Sequence, residues 1–316
     1  MNINLINSIK ASSVHKRVSN KVYNWVKPGC KLIDIVLYIE DNIKNDPLII
    51  GKKFYNNGIA FPVGVSVNNC VAHYTPNNTD ESYILKEEDI IKIDFGVHYE
   101  GSIIDSAFTL YFDDKYEKFI NISKDLTKFM VSRSGPDVIL GELGAEVDEY
   151  INGLEIELDN KIMPLTVMKD LSGHKILPYI IHAGKAVPNT KIEYPLRMEV
   201  GEFYAIEPFL TTGKGKSIFK GECSHYSLNI NHNKVISSKE SKIYNTIHNN
   251  FYSLPFCGRW LERSIDKNNF EKLVKKGVIN EYPPIYDIDN SIVSQFEHTV
   301  FIRDNGVLSL TSNDNY

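Results

Sequence analysis

The sequence is short of the features that mark several protein classes. It has only four cysteines, Cys30, Cys70, Cys223 and Cys257, in 316 residues. No two form a CxxC pair, and their spacing matches no zinc knuckle. In a chain this long they do not make a disulfide framework, so free thiols in a reducing compartment are expected. No stretch approaches the roughly 18 apolar residues of a membrane span. The opening MNINLINSIKASSVHKR lacks the continuous apolar core of a signal peptide. There is no excess of positive charge: 35 Lys and Arg against 40 Asp and Glu give a net charge of -5. That balance argues against direct nucleic-acid binding or attraction to an anionic membrane. Short repeats and low-complexity linkers are also missing. The expectation is a cytoplasmic protein.

What remains is ordinary globular composition, 42% hydrophobic and 24% charged, enough to bury a normal core. Residues 12–26 have Val14, Val18, Val22 and Trp25 at helical spacing, and Pro28-Gly29 ends that run. Leu5 and Ile9 extend it, on a slightly different face. Residues 31–44 repeat the pattern with Leu32, Ile35, Ile39 and Ile43. Residues 115–131, 139–153, 238–254 and 268–277 also read as helices. Strands are expected at 89–96 and 102–112 around a short turn, then at 178–184, 201–209 and 294–302. The pattern is mixed α and β.

Two aspartates stand inside the first two strands. With the turn centred on Tyr99 and Glu100, Asp94 faces Asp105, which puts their Cβ atoms about 4.5–5.5 Å apart. Both lie among isoleucines: Ile90, Ile91, Ile93, Ile103 and Ile104. Two unpartnered carboxylates there are costly. A divalent cation resolves the conflict, as would a shared proton, an arginine, or one aspartate turned to solvent. Three more polar residues keep similar company. His174 follows Ser172-Gly173 in a small-residue turn, Glu207 ends an apolar strand before Pro208, and Glu297 lies in QFEHTVF. Taken alone, each is more simply a solvated or structural side chain. As a set, two Asp, two Glu and one His are hard, oxygen-rich donors suited to two divalent ions rather than one structural zinc. Two ions about 3.5–4 Å apart can share a water that deprotonates near neutral pH. His73 and His182 are candidates for polarising a carbonyl or carrying a proton, against the simpler reading of core histidines.

Seven segments carry a resemblance. GIAFPVGVSVNNCVAHYTPN, IIKIDFGVHYEGSIIDSAFTLYF, GHKILPYIIHAGKAVPN, RMEVGEFYAIEPFLTTGKG, GECSHYSLNI, YPPIYDI and SQFEHTVFI occur in that order. The chain, from about residue 15 onward, resembles the eukaryotic methionine aminopeptidase type 2 family. The resemblance implies an α+β pita-bread (creatinase/aminopeptidase) fold, two related halves around a curved antiparallel sheet. It implies one catalytic domain over residues 1–316 with an inserted helical subdomain at 224–282. It makes Asp94, Asp105, His174, Glu207 and Glu297 the ligands of two divalent metal ions, cobalt, manganese, iron or zinc, with Asp105 and Glu297 bridging. Glu207 is also the proton-transfer carboxylate, while His73 and His182 contact the substrate. The methionine pocket maps to Phe61, Ile181, His225 and Tyr282. Small second residues are favoured. The implied partners are nascent polypeptide N-termini, with the ribosome left open and a monomer as the default.

Ser172, Lys175 and Pro255 depart from the family's usual residues. Two alternatives share the fold: an Xaa-Pro peptidase of the prolidase or aminopeptidase P kind, and a non-catalytic relative that binds RNA or ribosomes.

Overall fold

The computed structural model describes residues 3–77, 83–261 and 265–312. Its first helix, α1 (Ile3–Trp25), is longer than its valines alone require. Val14, Val18 and Val22 are buried as expected, but the same face also buries Ser8, Ser12, His15 and Ser19. Ser12 and His15 reach across the interface, Ser12 Oγ donating to Leu310 O. His15 bonds Phe95 O at 3.0 Å and Ser19 Oγ at 3.1 Å, so the helix is bonded to the sheet as well as packed on it. Trp25 lies off that face, 36% exposed, and stacks on Tyr38 of α2 (Leu32–Lys44) instead. In α2 the expected Leu32, Ile35, Ile39 and Ile43 are all buried.

Both helices cover an antiparallel sheet centred on the Ile90–Tyr99 strand, with Ser102–Tyr111 along one edge and Gly64–Val67 then Asn57–Ile59 along the other. A second pair, α3 (Glu117–Arg133) and α4 (Leu140–Ile151), covers a second antiparallel sheet. Its order is Ala186–Pro188, Ser172–Ile176, Phe203–Ile206, His298–Arg303, Gly306–Ser309. The result is the pita-bread arrangement, two helix pairs wrapped around antiparallel sheets. Hydrogen bonds tie the Ser102–Tyr111 strand of the first sheet to residues 295–299. Asp105 N–H donates to Thr299 Oγ1 at 2.8 Å, Ser106 Oγ to Glu297 O at 2.6 Å, and Thr109 Oγ1 to Gln295 O at 2.8 Å.

Three expectations need correction. The hairpin turns at Glu100 and Gly101, both at positive φ (46° and 80°), one residue later than expected. Glycine tolerates that conformation at no steric cost. The register therefore pairs Asp94 with Ala107 and Asp105 with Gly96. The aspartates share a face but are diagonal neighbours. Residues 178–184 are not a strand. They form the tip of a hairpin between Ser172–Ile176 and Ala186–Pro188, with Tyr179 at φ 63°. Pro178 carries no N–H for a ladder there. His174, expected in a turn, lies within the Ser172–Ile176 strand.

Residues 225–282 are only partly helical. α5 (Ser238–Phe251) opens with a capping box between Ser237 and Glu240, which satisfies two otherwise free backbone donors. α6 (Lys267–Lys275) is capped by Asp266. Both pack on a three-stranded sheet of Phe256–Cys257, His225–Leu228 and Ile279–Tyr282. Ile243, Ile247, Phe251, Phe256 and Leu273 form a core separate from the main one. This layer is held to α2 by Glu40, 1% exposed. Glu40 accepts from Arg259 Nη2 at 2.7 Å and Trp260 Nε1 at 2.9 Å.

Candidate metal centre and substrate pocket

Four of the expected ligands line a single cavity of about 500 Å³: Asp94, Asp105, His174 and Glu207. The fifth, Glu297, is 1% exposed. Ligand atoms of Asp105, His174 and Glu297 lie within 4.8 Å of one another. His174 Nε2 is 3.6 Å from Asp105 Oδ2 and 3.3 Å from Glu207 Oε1. These side chains come from separate strands and strand ends, so the fold alone brings them together.

The electrostatics mark the centre as incomplete without a cation. Burial, then the charge of Asp94, drives the Asp105 carboxyl well above its usual range. Burial and the surrounding carboxylates do the same to Glu207 and Glu297. Burial lifts Asp94 to about 7 and takes His174 well below the ordinary histidine range. Asp94 Oδ1, Asp105 Oδ1 and Glu297 Oε1 are buried with no hydrogen-bond donor. Buried polar atoms without partners are rare, and each needs an explanation. Neutral imidazole and hard carboxylate oxygens facing one space fit divalent metal. Among the described residues, no arginine or lysine partner supports the ion-pair alternative at these carboxylates.

The substrate side is equally well defined. Phe61, Ile181, His225, Tyr282 and Pro255 line the same cavity, with His73 and His182. Phe61 reaches it because Gly96 faces Asp105 across the hairpin. A Cβ at Gly96 would lie 2.3 Å from the Phe61 ring. His73 sits at φ 62°, a strained value for a residue with a side chain. Burial lowers its pKa to about 4. The His182 ring stands edge-on to His174, centroids 4.4 Å apart. Tyr282 lies 5.9 Å from His73 and 6.2 Å from His182.

Sequence reasoning passed over three residues here. Ser224 Oγ is 3.0 Å from His225 Nδ1 and 3.3 Å from His73 O, and accepts from Thr75 N–H. His225 Nε2 is 3.2 Å from Pro62 O. A carbonyl can only accept, so Nε2 carries the hydrogen and Nδ1 is an acceptor, sharing the one Ser224 hydroxyl hydrogen with His73 O. Both edges of the His225 ring are thus engaged. Burial takes its pKa to about 3, so the ring stays neutral. It is a wall of the pocket, not an acid. Gln295 places its amide between Glu207 and Glu297. Glu202 accepts from Lys175 and from Lys185 at 2.9 Å, which pins the base of the hairpin bearing His182. The polar residue inside an apolar strand was the available signal for Gln295. Nothing local marked Ser224 or Glu202.

Fold and site together define a metal-dependent peptidase. The chain matches the model of metallopeptidase family M24 over residues 8–238. It is 40% identical over 316 residues to methionine aminopeptidase 2 of Clavispora lusitaniae, covering 97% of this chain and 71% of that protein. Among solved structures, a thermophilic Arx1 superposes with a TM-score of 0.79 at 20% identity, covering 100% of this chain and 92% of that one. Methionine aminopeptidase from Thermotoga maritima superposes at 0.66 and 18% identity, covering 99% and 98%. The chain belongs to metallopeptidase family M24, on its methionine aminopeptidase type 2 branch.

Proposed function

We propose that this protein removes the first methionine from polypeptide chains, favouring small second residues. The observation that carries this is the joining of the acidic centre and a largely apolar pocket in one cavity. Asp94, Asp105, His174, Glu207 and Glu297 are read as the ligands of two divalent ions. Bound there, such ions supply a water acidified to near neutral pH and polarise a carbonyl.

The chain's own residues do the rest. The methionine side chain lies against Phe61, Ile181, His225, Tyr282 and Pro255, where selection among apolar side chains rests on size. His73 and His182 contact the substrate at the cavity wall between that pocket and the acidic centre. His182 donates to the scissile carbonyl oxygen as charge develops there. Glu207 is the proton-transfer carboxylate, taking a proton and returning it to the leaving amine.

On this reading residues 1–316 are one catalytic domain, with 224–282 as an insertion that supplies one pocket wall. The substrates are the N-termini of nascent polypeptides in the cytoplasm. The protein works as a monomer. Among the described residues, no helix is long and apolar enough to cross a membrane.

The test is hydrolysis of Met-Ala-Ser and of Xaa-Pro peptides by metal-stripped protein, with Co, Mn, Fe or Zn restored in turn. Methionine release restored by metal, and lost in Asp105→Ala and Glu207→Ala, supports the reading. Preferential cleavage of the Xaa-Pro peptides overturns it, as does activity that survives in either variant. Nothing in the cavity favours the non-catalytic alternative.

A further inference from the structure

We infer that Gln295 is a positioning residue that decides which oxygen of each ligating glutamate is turned toward the metal. This rests on the proposal that Glu207 and Glu297 hold metal. Gln295 is 1% exposed. It ends the Val293–Gln295 strand, paired with Phe209, two residues beyond Glu207. Its backbone is fixed from both sides by one hydroxyl. Its N–H donates to Thr109 Oγ1 at 2.9 Å, and its carbonyl accepts from that hydroxyl at 2.8 Å. The side-chain amide nitrogen then lies 3.3 Å from Glu207 Oε2 and 3.4 Å from Glu297 Oε2.

One amide thus occupies one oxygen on each of two glutamates from different segments. The oxygens left over are the ones aimed inward. Glu207 Oε1 lies 3.3 Å from His174 Nε2, and Glu297 Oε1 is buried without a donor. Charge explains why the donor is an amide. A lysine or arginine here would make the same bonds but place a positive charge among the ligands, repelling a divalent cation in a medium of low dielectric. A neutral donor orients the carboxylates and leaves their charge for the metal. Outer-shell partners of this kind typically change metal affinity by about 10–100-fold.

The test uses Gln295→Met, similar in length but without a donor, and Gln295→Asn, a donor one methylene too short. Mn²⁺ binding to metal-stripped protein is measured by calorimetry, and melting temperature with and without Mn²⁺. The expected result is Mn²⁺ affinity down by about 10–100-fold in both variants, with the metal-free proteins still cooperatively folded. The stabilisation conferred by Mn²⁺ shrinks with it. A purely structural residue would lower both melting temperatures alike. A folded variant that keeps Mn²⁺ affinity within about twofold of the parent overturns the inference while leaving the metal centre standing. A parent chain that binds no Mn²⁺, Co²⁺ or Zn²⁺ overturns the metal reading itself.

Discussion

His225 and Tyr282 stand directly opposite each other on neighbouring antiparallel strands. They are far apart in sequence, and their two strands belong to the sheet on which α5 and α6 pack. That layer therefore delivers two pocket residues as one rigid pair at the end of a sheet. Tyr282 is held by its hydroxyl, 3.0 Å from Ser227 Oγ.

Removing the ring should open the pocket. Tyr282→Ala is expected to raise KM for methionyl peptides about tenfold and to narrow the preference for methionine over bulkier apolar residues, since such selectivity rests on fit. Tyr282→Phe keeps the wall and should stay close to the parent. Steady-state kinetics on Met, Leu and Phe tripeptides measure both.

Ser224→Ala leaves His225 Nδ1 buried without a donor. The loss should be about 1–3 kcal/mol, read by urea denaturation. Nitrogen-15 NMR of the imidazole should show Nε2-protonated His225 in both proteins, since the Pro62 carbonyl still accepts from Nε2, with the Nδ1 signal shifted in the variant. An Nδ1-protonated ring in the parent would contradict the assignment.

The tie between α2 and the α5–α6 layer is a buried ion pair. Glu40→Ala leaves Arg259 without its partner, and losing one member of such a pair costs about 3–5 kcal/mol. Chemical denaturation should show this. KM should rise as well, because the displaced layer carries His225 and Tyr282.

The acidic centre gives metal-free protein a pH dependence of unusual sign. Asp94 titrates near 7 when folded, above its ordinary 3.8, and Asp105, Glu207 and Glu297 are raised in the same direction. Between these values the folded state holds more protons than the unfolded one, so stability falls as pH rises. Buried His15, His73, His98, His225 and His298, all lowered by burial, act in the opposite sense, so the carboxyl contribution is read by difference: between pH 5 and pH 7.5 the metal-stripped parent should lose more stability, relative to pH 5, than Asp94→Asn. Added divalent metal should offset that loss in the parent, since it binds the ionised carboxylates. Differential scanning fluorimetry at both pH values checks it.

Much of this was legible in the chain. Carboxylates inside runs of isoleucine carry a desolvation cost, which singled out Asp94 and Asp105 while leaving a shared proton, an arginine or solvent exposure as alternatives to metal. The helical spacing of Val14, Val18 and Val22 and of Leu32, Ile35, Ile39 and Ile43 named buried faces correctly, because those faces are periodic and local. The positions that resemble known ligands named the remaining three.

Tertiary structure decided the rest. A turn at Glu100 and Gly101 moved the hairpin register and made the aspartates diagonal, since a turn's conformation fixes register and composition does not. Ser224 and Gln295 look like ordinary polar residues until the fold sets His225 beside one and two glutamates beside the other. Their roles depend on hydrogen-bond partners more than 80 residues away or on the neighbour's tautomer. Sequence thus determined which groups had to leave water, and the packing of separate strands determined which atoms they met there.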